Sequence, residues 1–234
     1  MLCVAFAITA IAQNNTVVND KNAEVRNVTS FHAVEISHGI DLYITQGPTE
    51  GVAISASNDK YRSNIKTQVV NGVLKIFYDD AGTMVHFNWN NRQMKAYVTI
   101  KDIDALSASG GSDVYVQGVL QASSLSIDLS GGSDLNGQLQ ATTFKVVATG
   151  GSDVKISGKA GSLSVEASGG SDFKGYDFIT DNCDIDASGG SDVYISVNKE
   201  MNVKASGGSD VFYKGTAVIN STEASGGSGV KRRG

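Results

Sequence analysis

The chain has 234 residues, a formal charge of −5, one Pro and 27 Gly, and 18% of its residues are charged. That length gives one or two domains and a sizeable core, while the mild acidic balance, without a Lys/Arg run, argues against nucleic acid or a basic membrane patch. Gly well above the usual share of about 7%, with abundant Val, Ile, Ser, Thr and Asp, points to β-structure with many tight turns. The chain opens on "MLCVAFAITAIA", an apolar run that ends in the A-x-A signature Ala10-Ile11-Ala12. It is too short to span a bilayer, which takes about 20 apolar residues. Residues 1–12 therefore read as a signal peptide, open to being incomplete because no basic stretch precedes the run. The mature chain is expected to begin near Gln13, with residues 13–26 disordered. The expected location is secreted, periplasmic or outer-membrane associated, with no transmembrane span. Cys3 would leave with the signal, so Cys183 lacks a disulfide partner and reads as a small buried hydrophobe.

A single β-helix domain is expected over 27–229, with N-terminal coils at 27–100. "FHAVEISHGIDLYITQG" alternates Val34, Ile36, Ile40, Leu42 and Ile44 about a turn at Gly39. "VAISASN" and "IKTQVVNGVLKIFYDD" continue the pattern, and Asn71-Gly72 is a strong hairpin signal between apolar strands. Ala81 to Gln93 is expected to be a loop or hairpin between two strands. It carries the only Trp, Trp89, placed either over an open end of the core or against a ligand. His32, His38 and His86 lie outside the repeats and have no metal-binding spacing.

Gly-Gly pairs begin at Gly110, Gly131, Gly150, Gly169, Gly189, Gly207 and Gly226, at spacings of 21, 19, 19, 20, 18 and 19. A regular period near 20 signals a solenoid, here across 101–229. Aligned on Gly-Gly, the position four before it reads Leu106, Ile127, Val146, Val165, Ile185, Val203 and Thr222. The position two before it is almost always Ala. Polar residues fall between, which is the period-2 pattern of a strand with one buried face. After the turn come Val114, Leu135, Val154, Phe173, Val193, Val211 and Val230. Each repeat is expected to hold two strands of about four to six residues, with no room for a crossover helix. Stacked coils about 4.8 Å apart bury what one repeat cannot, giving an all-β parallel β-helix with coils of about 19 residues. Polar Asn220 and Thr222 in the last copy suit a terminal cap, and 230–234 reads as a tail.

Each "SGGSD" word then reads as a corner. Paired glycines supply the backbone freedom of a sharp turn, and Ser and Asp can bond backbone N–H groups there. Asp113, Asp134, Asp153, Asp172, Asp192 and Asp210 would line up one per coil. They would repel by about 0.9 kcal/mol per neighbour at the dielectric of water, so donors, solvent or a cation must offset them. Backbone donors and water are the favoured answer. A Ca²⁺-type ion on those six aspartates is the alternative, since hard oxygen ligands suit it, although the nine-residue calcium β-roll period is missing. A row of equivalent carboxylates is not a catalytic constellation of unequal groups. "GGSG" at Gly226 to Gly229 also misses the nucleophile elbow.

"ISHGIDLYITQG", then "NGVLKI", then serial "SGGSDV" words resemble the DUF2807 family of auto-transporter adhesins with a head GIN domain, over about Val28 to Gly229. The resemblance implies an exported protein of Bacteroidota with a right-handed, pectate-lyase-like β-helix, a role in cell adhesion, and no catalytic residues or cofactor. A carbohydrate or protein partner would meet the repetitive surface, with Tyr115, Tyr194, Phe212 and Trp89 as contacts. A structural envelope protein without a small ligand is the first alternative and a polysaccharide lyase or hydrolase the second. Open coil ends leave a homo-oligomer possible.

Overall fold

The computed structural model describes residues 20–79 and 92–234. Residues 1–12, expected to be a signal peptide, lie outside the described residues, as do Trp89 and nearly all of the 81–93 stretch expected to be a loop or hairpin. The front of the chain builds the first coils from short strands: β1 (Glu24–Arg26), β2 (Ala33–Ile36), β3 (Asp41–Gln46) and β4 (Gly51–Ser55). A single short helix, α1 (Asp59–Asn64), precedes β5 (Ile65–Val70), β6 (Val73–Tyr78), β7 (Lys95–Ile100) and β8 (Ala105–Ser109). β2 pairs in parallel with β6 and β8, and β3 with β7 and with the strand that starts at Val114, so the solenoid has begun before the first Gly-Gly word.

Antiparallel pairs finish this end. β5 and β6 form the hairpin expected at Asn71-Gly72, with φ of 52° and 77° at the two turn residues, as a two-residue hairpin turn requires. β4 lies antiparallel to β7, and β1 antiparallel to β4. Of the 13–26 stretch expected to be disordered, residues 20–26 are ordered, and 13–19 lie outside the described residues. What fixes residues 20–26 is polar, which composition alone does not reveal. The Tyr97 hydroxyl donates to Asp20 at 2.9 Å, and the Arg62 guanidinium donates to the Asn22 carbonyl at 2.8 Å.

The repeats follow as β9 (Val114–Ser130), β10 (Leu135–Ala148), β11 (Val154–Ala167), β12 (Phe173–Ala187) and β13 (Asp192–Ala205). The last turn is split into β14 (Asp210–Lys214), β15 (Val218–Ala224) and β16 (Gly229–Arg232). Two short strands per repeat were expected, yet β9 to β13 each run 14–17 residues. The chain bends midway without leaving the ladder: Ala141 still pairs with Ala160 before the bend, and Thr143 with Ser162 after it. The Gly-Gly corner interrupts pairing in every coil, and bulges interrupt it locally in β9, β12 and β13. The result is a parallel β-solenoid of about seven turns, its coils about 19 residues apart.

Inside, the alternation becomes columns. Leu106, Ile127, Val146, Val165, Ile185 and Val203 are all at most 3% exposed, and so are Val114, Leu135, Val154, Phe173, Val193 and Val211. Each full burial contributes roughly 1.5–3 kcal/mol. Cys183 stands in the same core, and burial pushes its thiol well above the ordinary range. The columns give out in the final coil, where Thr222 and Ala224 are exposed. β16 pairs with β14 as Val211↔Val230 and Tyr213↔Arg232, so the ladder extends into the segment expected to be a tail.

Candidate functional site

The corner is built from two ladders that run in opposite directions. The serines after Gly-Gly point inward, and Ser112, Ser133, Ser152, Ser171, Ser191 and Ser209 are completely buried. The hydroxyl oxygens of Ser112, Ser133, Ser152, Ser171 and Ser209 accept from the coil before them. Ser112 N–H donates to Ser133 Oγ at 3.0 Å, Ser133 N–H to Ser152 Oγ at 3.1 Å, and Ser152 N–H to Ser171 Oγ at 3.1 Å. The aspartates point outward and reach the coil after them. Asp134 N–H donates to Asp113 Oδ1 at 3.2 Å, Asp153 N–H to Asp134 Oδ1 at 2.8 Å, and Asp172 N–H to Asp153 Oδ1 at 3.2 Å. Asp192 and Asp210 continue the series. Every corner is thereby bonded to both neighbours through N–H groups that the turn would otherwise leave unpaired. The first glycine of the pair has two reasons to be Gly. At Gly131 φ is +66°, and a Cβ there would stand 3.2 Å from the Gly110 nitrogen, because successive corners nest.

The second carboxylate oxygens find donors on the outer face. Lys174 donates to Asp153 Oδ2 at 2.6 Å and stands 3.3 Å from Asp172 Oδ2. The Tyr194 hydroxyl donates to Asp192 Oδ2 at 3.2 Å, and Lys231 to Asp210 Oδ2 at 3.1 Å. The bond to Asp153, ahead of the neighbouring charges, raises Lys174 above the ordinary lysine range. The six aspartates lie in a line, and among the described residues no three His, Cys, Asp or Glu side chains gather as a metal site would require.

A seventh member precedes them. In "SHGID", His38 and Gly39 both take φ of 68°, Ile40 N–H donates to Ser112 Oγ at 3.1 Å, and Leu42 pairs with Val114. Asp41 is therefore the start of the aspartate ladder. Burial, then the charge of Asp113, pushes its carboxyl above the usual range, against a backbone hydrogen bond from Asp113. The S-x-G-x-D frame carried this signal, hidden by His and Ile in the Gly and Ser places.

Two residues after each aspartate lies the outward slot. Tyr43 stacks between Tyr97 and Tyr115 at centroid distances of 5.3 and 5.1 Å, and Tyr194 stacks on Phe212 at 5.1 Å. Tyr115 on one side and Tyr194 with Phe212 on the other thus belong to separate stacks, with Asn136, Lys155 and Lys174 between them in the same slot. Burial and the hydrogen bond to Asp20 push the Tyr97 phenol up to about 12. Tyr43, Tyr97 and Tyr176 are the members that the repeat alignment does not reveal.

Between the stacks the face sinks into a recess of about 520 Å³, lined by Asn136, Gly137, Lys155, Lys174, Tyr176 and Tyr194. Coil length explains it. β9 carries two more residues than β10 between paired positions, Tyr115 to Val119 against Asn136 to Gln138. β12 carries one more than β11, Lys174 to Asp177 against Lys155 to Ser157. These bulges stand as ridges on either side of two coils of plain length. A wider groove of about 940 Å³ follows the midway bend, past Gln121, Gln140, Lys159 and Ile179.

A corner repeated in register, seven aspartates in a row and a strand pattern begun at Ala33 match the model of one family over residues 30–217, described as "Putative auto-transporter adhesin, head GIN domain". The chain belongs to the DUF2807 family. Solved structures agree on the fold. A "putative adhesin" from Bacteroides fragilis superposes with a TM-score of 0.80 at 21% identity, covering 92% of this chain and 98% of that one. Another "putative adhesin", from Parabacteroides merdae, gives 0.67 at 14% identity, covering 91% and 95%. A "putative lipid binding protein" from Parabacteroides distasonis gives 0.61 at 18% identity, covering 91% and 98%. No curated protein matches the sequence. Membership in DUF2807 and the solenoid support a non-catalytic, adhesin-like protein. No helix among the described residues is long and apolar enough to cross a membrane.

Proposed function

We propose that the protein is an exported envelope or secreted module that binds a surface carbohydrate or protein through the outward face of its solenoid. One observation carries this reading: the side chains of that face stand in fixed rows on a rigid ladder. Aromatic stacks and lysines alternate along it, offering many weak contacts whose sum is multivalent. The corner carboxylates, by contrast, already accept backbone N–H, Lys and Tyr donors, which supports a structural role held without Ca²⁺ and speaks against paired catalytic acids.

The test uses the mature chain from Gln13 on a glycan array, on protein ligands of the cell surface and in polysaccharide-degradation assays, each with Ca²⁺ and with chelator. Binding without turnover, indifferent to chelator, is expected. Degradation abolished by one Asp substitution would establish the lyase or hydrolase alternative instead. No binding in any arm would leave a structural envelope protein.

A further inference from the structure

The recess between the two bulges differs from the rest of the face in three ways. It is the place where the aromatic slot is interrupted, by Asn136, Lys155 and Lys174 in successive coils. Its C-terminal ridge is a fixed protrusion. Pairing of β12 with β13 passes from Gly175↔Ile195 directly to Ile179↔Ser196, so Tyr176, Asp177 and Phe178 have no partners across the ladder. Phe178 plunges fully into the core beside Phe144, and the Ser196 hydroxyl donates to the Tyr176 carbonyl at 2.7 Å. With its backbone anchored on both sides, the bulge sets Tyr176 and Asp177 at the rim. Bulges re-aim side chains in this manner next to binding sites.

The third difference is charge. Lysines occupy the outward slot in three coils, and two of them reach back to the aspartate of the preceding coil, Lys174 to Asp153 and Lys231 to Asp210. The equivalent partner of Lys155 is Asp134. Lys155 makes no ion pair among the described residues, and its exposed side chain lines the recess. Around it stand two phenol rings, the Asn136 amide, the Ser157 hydroxyl and the Asp177 carboxylate. Phe212 stacks on Tyr194 and the Lys214 ammonium stands 4.4 Å from the Tyr176 ring centre, both from coils further along the chain, and Tyr176 and Tyr194 meet edge to face at 5.4 Å, so the two phenols line the recess as one held pair.

Ring faces suit the apolar C–H surface of a pyranose, and amide, hydroxyl and carboxylate groups suit its hydroxyls. An unpaired ammonium among them suits a carboxylate. We propose that this recess is a subsite for a sugar unit bearing a carboxylate, with Lys155 on the carboxylate, Tyr176 against the ring, and Asp177 and Asn136 on hydroxyls. The volume of about 520 Å³ holds one such unit and part of its neighbour. This inference rests on the carbohydrate-binding reading above and narrows it.

The test measures binding of the mature chain to trigalacturonate and its methyl ester, and to sialyllactose and lactose, by calorimetry at low and at physiological salt. The two pairs separate uronic from sialic acids, and each holds its sugar scaffold fixed while the charge is removed. The charged member of at least one pair is expected to bind about tenfold or more tightly, the worth of one charge-assisted hydrogen bond. Lys155→Gln should erase that preference and leave neutral binding intact. Tyr176→Ala should weaken both members, and Tyr176→Phe should restore them. Melting curves like the parent's show that each variant is folded. A preference for charge that survives Lys155→Gln would overturn the assignment, as would glycan binding elsewhere that ignores both residues; either leaves the broader carbohydrate reading standing. Failure of all four probes would overturn it too, and array binding to other glycans would then decide whether the broader reading survives.

Discussion

At the corner, the same carboxylate that bonds a backbone N–H also carries a charge beside like charges, and Asp41 shows what happens when burial tips that balance. Asp113, Asp153, Asp172, Asp192 and Asp210 stand beside Lys or Tyr donors, whereas Asp41 lies at the first corner with burial, then Asp113, pushing its carboxyl up. Because its folded-state pKa exceeds the unfolded one, the native state holds this proton more tightly. Stability is then lost as pH rises from the ordinary Asp value through the raised one, and it stays lost at neutral pH. Asp41→Asn keeps an oxygen for the Asp113 N–H and removes the charge. The variant should melt above the parent at pH 7, and the gain should fade as pH drops below the usual carboxylate range. Thermal melts from pH 3 to 8 check this. A variant less stable at pH 7 would mean that attraction to Lys95, the opposing charge beside this carboxylate, outweighs burial.

At the scale of the coil, glycines of positive φ stand at two places, the corner and the approach to the midway bend. Gly111, in the corner, has φ of +73°, but a Cβ there would meet nothing within 4 Å, so Gly111→Ala should cost about 1–2 kcal/mol from backbone conformation alone. Gly158, in the ladder just ahead of the midway bend of β11, has φ of +122°, and a Cβ there would overlap the Leu139 carbonyl oxygen of the coil beside it. Gly158→Ala should therefore cost about 3 kcal/mol or more, since overpacking adds to conformation. Urea unfolding of the two variants tests the difference, and equal losses would refute the distinction between the two places. The corner was legible in the sequence because its whole word repeats. The midway bend was not, because no repeated word marks it: Thr142 stands there in one coil and Gly161 in the next. The period also hid the recess, since coil lengths of 21, 19, 19 and 20 look like noise until pairing turns the surplus residues into bulges. Antiparallel closure at the front was legible only at Asn71-Gly72, where the turn chemistry is local. β1 and β4 are placed by pairing between distant strands and by side-chain hydrogen bonds, which no local pattern encodes.

For the whole molecule, a solenoid is nearly one-dimensional: each coil is stabilised by its two neighbours, so end coils have half the support. The two ends of this chain are finished unequally. The front is covered by the β5–β6 hairpin, β4 and α1, with the Arg92 guanidinium 4.6 Å from the Tyr78 ring centre and 5.3 Å from that of Tyr61. At the back, β15 is exposed at nearly every position, Val218 by 64%, and its inward places hold Thr222 and Ala224, which no layer covers among the described residues. Opening from the back exposes little additional apolar surface, whereas opening β10 or β11 uncovers full columns. Amide hydrogen exchange should accordingly show protection falling along the chain, weakest in 218–232 and strongest in 139–167, with the front coils close to the middle. Exchange at several protein concentrations adds a second reading of the same strands. Free edges pair when another edge is available, so a homo-oligomer joined end to end would raise protection of 218–232 as concentration rises, in step with the mass seen by sedimentation. Protection in those strands equal to that of the middle coils in a monomer at every concentration would overturn the account, because the support of each coil would then come from something other than its stacked neighbours.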